Sequence, residues 1–156
     1  MPGYSKIVVP VDFSDWSAEA VRHARELAAR YNAPLHLLHV IERWPPAASV
    51  TDELYPMYHQ YVERLNAQAT KQLDEQAASL SGSIPITHVT RAGNVPDEIV
   101  KYATDEHADL IVLGTHGRSG LSHWLLGSDA EKVVRTAPCP VLVVRARAPA
   151  PLQTSA

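Results

Sequence analysis

One short segment of this 156-residue chain carries four of its seven glycines, Gly114, Gly117, Gly120 and Gly127, with Ser128 directly after the last. A backbone without Cβ atoms can approach a phosphate group closely and can adopt positive φ. Successive N–H groups in such a loop form an anion-binding nest, and a helix that begins near Ser128 would add the positive end of its dipole. The segment therefore predicts a loop that binds the phosphates of a nucleotide.

The same segment also has a purely structural interpretation. Its glycines could make the turns of a long surface loop. Ser128 and Glu131 have the spacing of a capping box, which would satisfy the first N–H groups of the helix internally. Taken alone, the glycines leave phosphate binding and ordinary turns equally open.

The elements that must position this loop alternate between strands and helices. Short runs rich in β-branched residues predict strands, and apolar stripes of helical period predict helices. The predicted strands cover residues 6–11, 35–41, 84–90, 110–113 and 141–144, and the predicted helices cover residues 14–31, 54–80, 95–106 and 128–136. This order predicts an α/β fold: a single domain over residues 1–145 with one open five-stranded parallel sheet and helices on both faces. We expect residues 146–156, rich in Ala and Pro, to form a disordered tail.

The loops after the first and fourth strands carry the residues best suited to contact a ligand. Ligands of open parallel sheets bind beyond the carboxyl ends of the strands, where the strand order reverses. In the Rossmann-like order 3-2-1-4-5, the loop that begins at Asp12 and the glycine segment would be neighbours at that point. Ser14 or Asp15 would cap the first helix, and Asn94 would cap the third.

Composition limits the classes of partner. The formal net charge is −3, and the 14 Lys and Arg residues are scattered along the chain, so we expect no nucleic-acid partner. No apolar run approaches the ~20 residues that a membrane-spanning helix needs, and no secretory signal is visible. The single cysteine, Cys139, suits a reducing compartment. We therefore expect a cytoplasmic protein without a membrane span.

Other chemistries match the sequence poorly. It lacks the G-x-x-x-x-G-K-[ST] pattern of P-loop proteins, and no G-x-G-x-x-G pattern follows the first strand. His36 and His39 are three apart on a predicted strand and would point to opposite faces, which does not favour a zinc site. Asp12, Ser14 and His116 could be imagined as a catalytic triad, but the nucleophile-elbow pattern G-x-S-x-G is absent.

Over residues 7–144 the chain resembles the universal stress protein family. The resemblance is carried by the opening IVVPVDFS, the second strand LHLLHVIE, the turn GNVP at residues 93–96 and the block DLIVLGTHGRSGLSHWLLGSDAEKVVRTAPCPVLVV. Its most specific element is the spacing G-x2-G-x9-G-[ST], formed here by Gly114, Gly117, Gly127 and Ser128. In that family this spacing marks the subgroup that binds ATP.

The resemblance implies which part of ATP each site residue would contact. Asp12 would bind the ribose and a phosphate-bound Mg²⁺, and Val40 would recognise the adenine edge through its backbone. Pro10 and Val11 would line the entrance, and Leu113 would pack near the sugar or the base.

The phosphates would be held by backbone N–H groups and one hydroxyl group, and the residues concerned are Gly114, Gly117, Gly127 and Ser128. We expect His116 to lie near the phosphates and Arg118 to supply positive charge from the same loop. ATP and Mg²⁺ are therefore the expected cofactors.

The resemblance also implies an assembly. Family members commonly dimerise through the fifth strand, which here comprises Val141, Leu142, Val143 and Val144. A short apolar strand at the edge of a sheet is a liability unless it is paired or covered. We expect a homodimer, or a higher oligomer, built on this strand.

Three functions stay open at this point. The first is a nucleotide-binding signalling or stress-response protein in which ATP selects one conformation or oligomer. The second is an enzyme, either a slow ATPase or a nucleotidyl or phosphoryl transferase. The third is a dimeric interaction module without a nucleotide, for which the carboxylate of Asp129 beside Ser128 is the only support.

Overall fold

The computed structural model of the chain describes residues 3–42, 47–80, 82, 84–116 and 126–145. Their core is a sheet of five strands: β1 (Ile7–Pro10), β2 (Leu35–Ile41), β3 (Ile86–Ala92), β4 (Leu110–Gly114) and β5 (Val141–Val144). All neighbouring strands pair in parallel, in the order β3-β2-β1-β4-β5. The predicted α/β fold class and strand order are confirmed.

Four helices cover the two faces of the sheet: α1 (Asp15–Tyr31), α2 (Tyr55–Ser79), α3 (Val95–Asp105) and α4 (Ser128–Thr136). Ala20 of α1 and Leu73 of α2 belong to one buried cluster, and Ile99 of α3 and Val133 of α4 belong to the other. A short 3₁₀ turn at Ala47–Ser49 precedes α2. None of the described helices combines the length and the apolar character needed to cross a bilayer.

The central strands are apolar throughout because both of their faces are covered. Ile7, Val8 and Val9 of β1 have no solvent exposure. Ile7 and Val9 pack in the cluster under α1 and α2, whereas Val8 packs in the cluster under α3 and α4. The alternation of side chains along a strand explains why three consecutive apolar residues can all be buried.

Two helices begin at the side-chain caps that the sequence predicts, and a left-handed residue ends α1. The Ser14 hydroxyl oxygen accepts a hydrogen bond from the Ser17 N–H group at the start of α1, and the Asn94 side chain accepts one from Asp97 at the start of α3. Asn32 ends α1 with φ of 52°, a left-handed conformation that asparagine tolerates. These residues fix where α1 begins and ends and where α3 begins.

The third strand begins two residues later than the sequence pattern indicates. The prediction was residues 84–90, whereas β3 spans Ile86–Ala92. Pro85 has no N–H group to donate, and its carbonyl oxygen accepts from the Leu35 N–H group at 2.9 Å, so regular pairing starts at Ile86 opposite Leu35. Ile84 is buried, but it lies outside the strand.

Candidate functional site

A cavity of about 550 Å³ opens at the carboxyl ends of β1, β2 and β4. Its walls come from the loops that follow β1 and β4, from α2 and α3, and from the first turn of α4. The chain leaves β1 toward one side of the sheet and β4 toward the other, so this is the point where strand order reverses.

Most of the predicted nucleotide-binding residues meet around this one space, although they come from four separate segments. The residues that line it are Pro10, Val11, Asp12, Val40, Leu113, Gly114, His116, Gly127 and Ser128. The other two, Gly117 and Arg118, lie outside the described residues. The predicted dimer residues Val141, Leu142, Val143 and Val144 form the edge strand β5 and do not line the cavity.

The Asp12 carboxylate is held in place by the start of α1. Its Oδ1 atom accepts from the Ser14 N–H group at 3.0 Å and from the Ser14 hydroxyl group at 2.5 Å. The Asp12 N–H group donates to Ser17 Oγ at 3.4 Å, and Ser17 is itself buried. This network turns the chain sharply between β1 and α1 and leaves Asp12 on the cavity wall.

The residue after Asp12 adopts a strained backbone conformation. Phe13 has φ of 63°, which is uncommon for a residue with a Cβ atom. Its ring packs against the ring of His39 with the centroids 4.7 Å apart. His39 Nδ1 lies 2.6 Å from the Val11 carbonyl oxygen, and because a carbonyl oxygen only accepts, Nδ1 carries the proton. The strain at Phe13 is therefore supported by contacts with β2.

The first turn of α4 faces the cavity without a side-chain cap. The cap residue is Gly127, with φ of −62°, and its N–H group donates to the Thr115 carbonyl oxygen at 2.8 Å. Ser128 is already the first helical residue, so in the described structure the capping box with Glu131 is not formed. The first N–H groups of a helix have no intrahelical acceptor, so this turn can donate to an anion in the cavity.

The loop after β4 contributes an imidazole near these donors. His116 Nδ1 lies 3.1 Å from the Thr115 hydroxyl oxygen, and the His116 ring is 5.1 Å from the Trp16 ring. Trp16 belongs to the first turn of α1, so this contact joins the loop that follows β4 to the start of α1. The ring is half-buried beside the cavity.

The charges on the cavity wall are mainly negative among the described residues. Asp12, Glu42 and Asp129 all line it, and Asp129 is exposed in the first turn of α4. Among the residues that the structure describes, no group of three or more His, Cys, Asp or Glu side chains could hold a metal ion by itself.

Sequence reasoning missed the wall that α2 forms. Tyr61, Leu65, Gln68 and Gln72 line the cavity, and their spacing of four, three and four residues places them on one face of the helix. That periodicity was readable in the sequence. It indicates a face of the helix, but not that the face extends beyond the sheet to a ligand site.

The second buried histidine lies at the opposite end of β2. His36 and His39 point to opposite faces of the strand, as predicted, and His36 Nδ1 lies 2.9 Å from the Tyr102 hydroxyl oxygen. Burial lowers the pKa of His36, and the positive charge of Lys6 adds to this effect. Burial also raises the pKa of Tyr102. This pair stabilises the packing of α3 and takes no part in the cavity.

The fold and the cavity define a doubly wound parallel α/β protein with a ligand pocket at the switch point of its sheet. The sequence pattern described as the universal stress protein family matches residues 3–145, and the chain belongs to that family. The resemblance seen in its motifs is thereby confirmed.

Known relatives are similar to this chain over nearly its whole length. A universal stress protein of Methanocaldococcus jannaschii is 36% identical over 143 residues, which cover 91% of this chain and 82% of the relative. The solved structure of universal stress protein UspA from Lactobacillus plantarum is 29% identical, has a TM-score of 0.83, and matches 93% of this chain and 100% of its own.

Two further solved structures contain adenine nucleotides. A universal stress protein in complex with cAMP is 28% identical, with a TM-score of 0.61 and coverage of 94% of this chain and 100% of its own. A universal stress protein from Archaeoglobus fulgidus in complex with dAMP is 25% identical, with a TM-score of 0.63 and coverage of 90% and 97%.

Proposed function

We propose that this protein binds an adenine nucleotide, ATP together with Mg²⁺, in the cavity at the carboxyl ends of β1, β2 and β4. The observation that carries the proposal is the convergence of nine of the eleven predicted residues on one space beside the uncapped start of α4. The bound nucleotide acts as a ligand that selects one conformation or oligomer during a stress response. To do so, it must bind the two states with different affinity.

The relatives support the adenine part of this proposal. The nucleotides in the two ligand-bound structures, cAMP and dAMP, share the adenine base and one phosphate. The choice of ATP for this chain is supported by the glycine spacing that ends at Gly127 and Ser128, which in this family marks the subgroup that binds ATP.

The described residues fit the chemistry of a nucleotide's phosphates. The N–H groups at the start of α4 and the Ser128 hydroxyl group are donors without formal charge, which suit phosphate oxygens. Asp12 lines the same cavity and would complete the coordination of a Mg²⁺ ion held by the phosphates. Magnesium commonly binds through one or two carboxylates and the phosphates of its nucleotide.

The negative wall makes this binding depend on the cation. The carboxylates of Asp12, Glu42 and Asp129 would repel the phosphates of free ATP. Magnesium neutralises part of the phosphate charge and converts the repulsion at Asp12 into attraction. The proposal therefore requires much tighter binding of MgATP than of ATP in the presence of a chelator.

The test begins with the purified protein. It is denatured, released nucleotides are identified by chromatography, and the emptied protein is titrated with ATP by calorimetry, with Mg²⁺ and then with EDTA. Co-purified ATP or micromolar affinity for MgATP supports the proposal. If the purified protein releases no nucleotide and the refolded protein binds neither ATP nor MgATP, the proposal is overturned. That result favours the interaction module.

The same preparation separates a ligand-binding protein from an enzyme. Release of phosphate or ADP is followed under excess MgATP for several hours. Our proposal predicts a turnover rate of MgATP far below the ~1 s⁻¹ at the low end of typical enzymes. Faster turnover would instead support the ATPase or transferase.

We further propose that the protein forms a homodimer, or a higher oligomer, through β5. This strand is an edge of the sheet, its residues are all apolar, and Leu142 is exposed in the single chain. Pairing with a second copy would satisfy the edge and cover that side chain.

We assign this function to the cytoplasm, where ATP is abundant and thiols stay reduced. The single cysteine, Cys139, is half-buried, and burial raises its pKa, which keeps the thiol in its less reactive protonated form.

A further inference from the structure

Two side-chain amides line the cavity on the wall opposite α4. Gln68 and Gln72 project from α2, which packs on β2 and β3, whereas α4 packs on α3 and β5. Neither amide makes a hydrogen bond to another described residue, and Gln72 is half-buried. The Gln72 amide is therefore open to the cavity, where a ligand can supply the partner that the described residues do not.

The surroundings of Gln72 suit a flat aromatic base. Leu65 and Ala69 of α2, with Val40 and Ile41 at the end of β2, provide apolar walls on this side of the cavity. Small-molecule sites typically combine such walls with a few polar groups that fix orientation. The donors for phosphates lie at the other end, beside Gly127, so the two ends divide the cavity into a base side and a phosphate side.

We infer that the Gln72 amide reads the edge of adenine that carries the 6-amino group and N7; this rests on the proposed function. The amide oxygen accepts from the 6-amino group while the amide NH₂ donates to N7, a bidentate pairing that fits adenine. Guanine presents two acceptors on this edge, O6 and N7, so the amide oxygen would face O6 without a proton between them. The expected backbone contact of Val40 would read the other edge of the base.

The neighbouring carboxylate cannot replace this contact. Glu42 also lines the cavity, and it could accept from the 6-amino group. A carboxylate has no proton to donate to N7. Sensitivity of binding to the N7 atom therefore separates Gln72 from Glu42.

The probe is 7-deaza-ATP, in which a C–H group replaces N7. Calorimetric titrations compare MgATP, Mg-7-deaza-ATP and MgGTP for the wild type and for Gln72→Ala. The wild type should bind ATP roughly 2- to 10-fold more tightly than 7-deaza-ATP, which loses one of the two hydrogen bonds. It should bind ATP roughly 5- to 100-fold more tightly than GTP, the range of a bidentate base contact. Gln72→Ala should bind ATP and 7-deaza-ATP equally, and it should keep only the part of the preference over GTP that the Val40 backbone provides.

The matched control is Gln60→Ala. Gln60 lies on the same helix, is exposed, and does not line the cavity, so its substitution should leave all three affinities unchanged. Alanine is the better helix former, so both variants should fold, and circular dichroism checks this.

The outcomes distinguish the two proposals. A wild type that binds neither ATP nor GTP overturns the proposed function and this inference with it. A wild type that binds ATP, but with equal affinity for 7-deaza-ATP, or with a preference over 7-deaza-ATP that survives in Gln72→Ala, overturns the inference alone.

Discussion

A Cβ atom added at Gly114 would lie 2.8 Å from the backbone carbonyl oxygen of Trp16. Gly114 ends β4 and Trp16 lies in the first turn of α1, so a glycine at this position lets the helix approach the sheet. The first glycine of the motif thus has a packing role of its own, whether or not a phosphate is bound.

Gly114→Ala should therefore destabilise the fold before any ligand is considered. The new methyl group would press on backbone, which cannot move aside cheaply, and we expect a loss of roughly 1–3 kcal/mol. Urea unfolding measures the free energy of unfolding. The control is Gly82→Ala, where the nearest atoms are 3.8 Å from the added Cβ and the stability should hold. Equal stability of both variants would contradict the packing role.

The Asp12 carboxylate offers a clean test of magnesium binding. Asp12→Asn keeps an oxygen that accepts from the Ser14 N–H group but removes the negative charge. We expect calorimetry to show about tenfold weaker binding of MgATP, ~1.4 kcal/mol, with no loss when EDTA is present.

Asp15→Asn is the matched control, since Asp15 is exposed in the first turn of α1 and does not line the cavity. It changes the net charge equally. If both variants weaken MgATP binding to the same extent, the effect comes from overall charge and not from a specific role of Asp12.

The fold was largely predictable because its strands are short apolar runs separated by helices of clear periodicity. The start of β3 was not, since Ile84 and Ile86 both suit a buried strand. The choice depends on the partner: Leu35 uses the Pro85 carbonyl oxygen, and pairing begins one residue later. That register is a property of two strands about fifty residues apart, which no local pattern contains.

The sequence predicts the residues of the candidate site that follow strands or begin helices. It does not predict those that the middle of a long helix contributes. Asp12 follows β1 and Gly127 precedes α4, so the strand order alone brings them to the same end of the sheet. Gln72 sits in the middle of a long helix, and its position at the cavity depends on how α2 crosses the sheet. The second role of Gly114 depends likewise on Trp16, nearly a hundred residues earlier.

The exposed side chain of β5 tests the proposed dimer. Leu142 is 37% exposed on the edge strand. In Leu142→Lys a charged group would be buried against the partner, which is costly without a counter-charge. Sedimentation should therefore show monomers at concentrations where the wild type is dimeric.

Val134→Lys is the control for this change, because Val134 is 44% exposed but lies on α4 rather than on β5. This variant should sediment as the wild type does. Dimers that persist in Leu142→Lys and dissociate in Val134→Lys would move the interface to the helical face.

The burial of His36 should make the stability of the fold depend on pH. Burial lowers the pKa of His36 in the folded protein below its ordinary value of 6.5, so the unfolded chain takes up a proton first as the pH falls. The contribution of His36 is complete above pH 6.5 and is lost as the pH falls from there toward the lowered folded pKa. The slope is positive, at most about 1.4 kcal/mol per pH unit for one proton.

Urea unfolding at pH 7.5 and pH 5.5 measures this effect as the difference between the wild type and His36→Gln, which cannot titrate at this position. The wild type should lose more stability between the two pH values than the variant does. His59→Gln, at an exposed position on α2, should behave as the wild type. If the wild type and His36→Gln lose the same amount, the buried imidazole is not the group that titrates. The acid sensitivity must then come from elsewhere in the chain.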